Sequence, residues 1–80
     1  VVSESYRPIS CVQHERLEFA VLRRLPLLLE YEEAGAVVQE KVMPLDVLTR
    51  DGAEWLTMRL PEGNVRELRL DRIRSFQENP

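Results

Sequence analysis

An 80-residue chain with 44% hydrophobic and 31% charged residues has room for one small core and little room for a deep catalytic cleft. Ten arginines and one lysine are interspersed with fourteen acids for a net charge of −3, a balance that does not favour binding nucleic acid chiefly through its phosphates. One cysteine forms no internal disulfide, which fits a reducing compartment. No run approaches 18 apolar residues, and the first residues lack the charged-then-apolar pattern of a signal peptide, so the expected location is cytoplasmic, without a membrane span.

The sequence reads as a single domain over 1–80. Residues 1–10 form an extended lead-in, since Arg7 precedes Pro8 and is pushed out of the helical region. Residues 11–25 read as a helix: Leu17, Ala20, Val21 and Leu25 recur on one face, Ser10 is an N-cap, and Pro26 is a stop. From 26 to 76 the pattern is β. Leu27 to Tyr31 is a short apolar strand, ended by a turn at Glu32-Glu33-Ala34-Gly35. Ala36 to Leu48 is long and β-rich, with Pro44 marking a bend, bulge or edge. Arg50-Asp51-Gly52-Ala53 carries a hairpin turn signal. Glu54 to Leu60 alternates, with Leu56, Met58 and Leu60 on one face and Trp55, Thr57 and Arg59 on the other. Pro61-Glu62-Gly63-Asn64 is a turn, Val65 to Leu70 alternates again with Leu68 and Leu70 inward, and Ile73 to Phe76 is a last strand before a frayed tail at 77–80. The expectation is a mainly β protein with one N-terminal helix, its five or so short antiparallel strands closed or nearly closed into a small barrel.

The sole cysteine and sole histidine stand three residues apart in PISCVQHE. A zinc site needs three or four ligands, and a Cys–His nucleophile needs an orienting group and an oxyanion hole, none of which the spacing marks. Cys11 therefore reads as a small, partly buried residue at the helix entrance, and His14 as a polar residue on its first exposed turn. All three glycines fall in turns, so no phosphate-cradling loop exists. Neither an enzyme nor a cofactor is expected.

Three further features stand apart. His14, Glu15, Glu18 and Leu22 share one helical stripe beside the apolar face, either a solvated flank or an acidic recognition ridge with Leu22 as its apolar contact. Trp55 lies opposite Leu56, Met58 and Leu60, as a second core layer or an interface anchor. Arg66, Arg69, Arg72 and Arg74, interleaved with Glu67 and Asp71, read as cross-strand charge pairing.

The combination of YRPISC (6–11), LEFA (17–20), LLLEY (27–31) and RELRLDRIRSF (66–76) resembles the Rof family of Rho-binding antiterminators, and it spans Tyr6 to Phe76. The resemblance implies a small Sm-like, SH3-like barrel and a non-enzymatic inhibitor. It implies binding to the RNA-binding region of the hexameric helicase Rho, which blocks RNA loading and so causes antitermination. The family's contacts with Rho fall, in this sequence, on His14, Glu15 and Glu18 and on Thr49, Arg50 and Asp51, to which the helical stripe adds Leu22. A free monomer that binds no nucleic acid directly is expected, with a stand-alone Sm-like RNA-binding module as the alternative.

Overall fold

The computed structural model describes residues 7–78, so Tyr6 and the rest of the expected lead-in before Arg7, and the last two tail residues, lie outside the described residues. The elements follow in the order α1 (Cys11–Arg23), β1 (Leu27–Glu33), β2 (Ala36–Arg50), β3 (Ala53–Arg59), β4 (Val65–Arg69), a single 3-10 turn (Leu70–Arg72) and β5 (Ile73–Glu78). The Cα radius of gyration is 12.1 Å.

Helix α1 starts where its cap dictates. The Ser10 hydroxyl accepts from the Gln13 backbone N–H at 3.2 Å, satisfying one of the unpaired donors of the first turn. It ends two residues before the expected Leu25. Arg24 turns left-handed at φ 54°, and the Arg24 and Leu25 N–H groups close back on the Val21 and Ala20 carbonyls. Pro26 then forbids any extension. Leu17 and Ala20 are fully buried.

The sheet order is β4-β3-β2-β1-β5, all antiparallel. The long β2 serves two partners in turn: Ala36–Val42 pairs with β1, and Met43–Arg50 pairs with β3. Pro44 cannot donate to a ladder, and the register slips between Pro44 and Asp46 at this point. Both flanking hairpins use two-residue turns with positive φ, Ala34-Gly35 (51° and 78°) and Asp51-Gly52 (54° and 75°). Leu29, Tyr31, Val42, Leu56, Met58, Leu68, Leu70 and Phe76 join Leu17 and Ala20 in one core.

Three expectations are corrected here. The sheet is not a closed barrel: β4 and β5 are its two edges, and no backbone ladder joins them among the described residues. The chain crosses between these edges through the 3-10 turn, whose Leu70 is fully buried, and a turn of that kind offers no strand backbone for pairing. The sheet nevertheless curls, for Arg66 of β4 reaches Glu33 and the Tyr31 hydroxyl of β1, with two strands between them in the order. Second, β1 runs on to Glu33 rather than ending at Tyr31. Third, Gln77 and Glu78 are not frayed but pair with Leu28 and Leu27. Glu78 is held further by Arg16, whose Nη2 lies 2.6 Å from its Oε1 and whose guanidinium stacks 4.5 Å above the Phe76 ring. That hydrogen bond lowers the Glu78 pKa below the usual glutamate value.

Candidate partner-binding surface

Helix α1 lies against β2, and two grooves run along the helix, one beside the lead-in and β3 and one beside β2. The first is lined by Pro8, Ile9, Cys11, His14, Glu15 and Glu54. The second is lined by Glu18, Val21 and Leu22 from α1 and by Asp46 and Val47 from β2, just beyond the Pro44 bulge. The stripe read from the sequence thus becomes the wall of both grooves. Glu15 and Glu18 are exposed, and Leu22 is 81% exposed, an aliphatic side chain with no core role.

His14 joins the two grooves. Its Nε2 lies 2.8 Å from Glu54 Oε2 and its Nδ1 lies 3.4 Å from Glu18 Oε1. A neutral imidazole carries one N–H and can donate to only one of these carboxylates, whereas the protonated ring donates to both. The reading of His14 as simply exposed is therefore corrected: its side chain is 25% exposed and tethered to β3. Cys11 is corrected in the opposite sense, being exposed rather than partly buried.

Of the second group of expected residues, Thr49 and Arg50 close strand β2 and only Asp51 lies in the turn. Thr49 pairs across the ladder with Glu54, so Glu54 is the residue that connects this hairpin to His14 on the helix. Arg50 is committed locally. Its Nη2 meets Glu67 Oε1 at 2.6 Å, its Nε lies 3.7 Å from Asp51, and its guanidinium covers the Trp55 ring at 4.8 Å. The hydrogen bond to Glu67 raises the Arg50 pKa above its ordinary value. Trp55 is half-buried and donates from Nε1 to the Arg50 carbonyl at 3.2 Å, so it is a platform under Arg50 rather than a bare anchor. No hydrogen bond or ion pair among the described residues joins Arg50 or Asp51 directly to α1.

Glu54, Asp46 and Val47 are the residues that sequence reasoning missed. A signal for Glu54 existed: it shares strand parity with the buried Leu56 and Met58. An acid on a core-facing parity needs a partner, and His14 is that partner. The two grooves gather the carboxylates of Glu15, Glu18, Asp46 and Glu54, and among the described residues no arginine or lysine lines either one. Among the described residues no group of three His, Cys, Asp or Glu side chains could hold a metal ion.

The profile of a family described as modulator of Rho-dependent transcription termination (ROF) matches residues 8–80. This chain belongs to the Rof family. The proteins called rof in Escherichia coli (strain K12) and in Shigella flexneri are each 37% identical to it over 75 residues, 94% of this chain and 84% of theirs. The Rof-family chain also shares its fold with part of the proteasome accessory factor PafBC of Arthrobacter aurescens, at a TM-score of 0.76 and 23% identity. That likeness covers 94% of this chain and 13% of PafBC, and it shows the fold alone. The family is described as one of modulators of Rho-dependent transcription termination. Among the described residues no helix is long and apolar enough to cross a membrane.

Proposed function

We propose that this Rof-family protein is a non-enzymatic inhibitor that binds the RNA-binding region of the Rho hexamer, blocks RNA loading and so causes antitermination. It acts in the cytoplasm, as a monomer when free, and without itself binding nucleic acid. The observation that carries this reading is the acidic wall of α1 and β2, with Leu22 exposed at its centre and Glu15, Glu18 and Asp46 around it. A surface that holds RNA offers cations and apolar platforms at phosphate and base spacing. Carboxylates can occupy such phosphate positions through charge-assisted hydrogen bonds, and an aliphatic side chain can lie where a base would stack. His14 and Glu54 hold the wall in place from behind, and Thr49, Arg50 and Asp51 extend it along the hairpin.

The test is binding to purified Rho hexamer, with and without saturating single-stranded C-rich RNA. Saturating RNA is expected to abolish binding. Glu18→Arg is expected to weaken binding at least about tenfold, since losing one charge-paired contact costs roughly 2 kcal/mol or more, while its circular dichroism stays that of wild type. Binding that RNA leaves untouched, or a folded Glu18→Arg variant with wild-type affinity, would overturn the reading.

A further inference from the structure

A second surface, which shares no residue with the two acidic grooves, lies where β2 changes partner. Its floor is Val42, Met43 and Leu60, its walls are Pro26 and Pro61, and Lys41 and Arg59 complete its lining. The register explains the hollow. Val42 is the last β2 residue paired with β1 and Met43 the first paired with β3, opposite Arg59, so the two neighbouring strands part here. The two prolines have fixed φ and no N–H, which makes the walls stiff and free of backbone donors.

Two cations without a carboxylate partner among the described residues line the groove; Arg7, Arg23 and Arg24 are likewise without one elsewhere in the chain, whereas other arginines are paired. Arg16, Arg50, Arg66, Arg69 and Arg74 each pair with a carboxylate of the same chain. Lys41 and Arg59 are both exposed, and neither makes an ion pair with any described residue, although acids outnumber bases fourteen to eleven. Two exposed cations beside an apolar, proline-walled groove form a charge pattern that an outside anionic group can complete. Arg24, two residues before Pro26, adds to the same sign. No aromatic ring lines the groove, so it offers no platform for stacking a base.

We infer that this groove is a second docking surface, which takes a segment of a protein partner presenting aliphatic side chains flanked by carboxylates. The aliphatic groups fill the floor at Val42, Met43 and Leu60, and the carboxylates pair with Lys41 and Arg59. The prolines lower the ordering cost, because the walls need not be fixed on binding. The inference is independent of the Rho-binding reading and stands or falls without it.

The two methionines supply both reporter and control. Met43 lines the groove, and Met58 is fully buried in the core. With 13C-methyl-methionine protein, the capped peptide Glu-Asp-Leu-Leu-Glu-Asp, added to about 5 mM to reach weak affinities, is expected to shift the Met43 methyl saturably and leave Met58 still. Lys41→Glu with Arg59→Glu is expected to weaken the titration at least tenfold, with an unchanged Met58 signal showing that the core is intact. A peptide with Lys and Arg in place of the acids is expected to leave Met43 unmoved. A stationary Met43, a titration indifferent to the charge reversal, equal binding of the basic peptide, or movement with C-rich RNA alone would each overturn the proposal, the last by making the occupant a nucleic acid.

Discussion

Raising the pH should destabilise this protein through one buried phenol. Tyr31 is 1% exposed, donates its hydroxyl proton to Glu40 and receives a long contact from Arg66 at 3.4 Å. Burial, then the hydrogen bond to Glu40 and the negative charges of Glu40 and Glu33, push its pKa from 10.0 up to about 12, with Arg66 opposing. The folded state thus holds the proton more tightly than the unfolded chain. Its contribution is complete below pH 10 and is lost as pH rises from 10 through about 12. At about 1.4 kcal/mol per pH unit, that interval is worth about 3 kcal/mol. A domain of this size is stable by roughly 4–12 kcal/mol in total, so the loss is a large fraction of it. With a urea slope of about 1 kcal/mol/M for so small a chain, the midpoint should fall by roughly 2–3 M between pH 10 and pH 12. Tyr31→Phe supplies the comparison. Its midpoint at pH 8 should be lower, because Glu40 and Arg66 each lose a partner, but its further decline from pH 10 to 12 should be smaller by that same roughly 2–3 M. Ionisation of Lys41 and other groups is common to both proteins. Equal declines in wild type and Tyr31→Phe would refute the reasoning, as would a spectrophotometric Tyr31 midpoint near 10 in a Tyr6→Phe background.

At the acid end, burial works to raise the Asp71 pKa, but hydrogen bonds from Arg69 and the Arg7 backbone N–H, with the charges of Arg69 and Arg72, hold it below 3.8. Its stabilisation is present above the ordinary aspartate range and lost as pH falls through the lowered value, so urea titrations of wild type and Asp71→Asn should converge with falling pH after differing by about 1–3 kcal/mol at pH 7. Ser10→Ala should cost about 1 kcal/mol and speed amide exchange in the first turn of α1, the Gln13 amide included. Leu17→Ala and Leu22→Ala separate core from surface. The first should cost roughly 2–5 kcal/mol in thermal or urea unfolding, and the second less than about 0.5 kcal/mol while weakening binding to Rho.

The local periodicities carried most of the fold. Leu56, Met58 and Leu60 alternate into the core as written, and Asp51-Gly52 turns where such a dipeptide should. What escaped depends on residues distant in the chain. Glu78 is fixed by Arg16, 62 positions away, and no window around Gln77-Glu78 contains that partner. Closure of the sheet is likewise a relation between β4 and β5, and nothing within either strand says whether their edges meet. The arginine cluster was legible as charge pairing, yet Arg66 pairs across the curl of the sheet with Glu33 rather than with a ladder neighbour. The acidic stripe of α1 was visible in the sequence because it is local to one helix. Its link to the hairpin was not, because Glu54 reveals its role only when His14 is placed over it.

The pairing of β5 with β1 also bears on how the protein is made. Strand β5 is synthesised after β1 to β4 yet lies against β1, and Leu27–Tyr31 has an open edge until Ile73–Glu78 emerges. Such a long-range contact closes late and slowly. Helix α1 and the β1–β2–β3 meander can assemble during synthesis, but Phe76 and the Glu78 anchor for Arg16 arrive only once β5 is made. An interrupted chain would therefore expose β1 as a pairing template, and degradation of unfinished copies should be rapid.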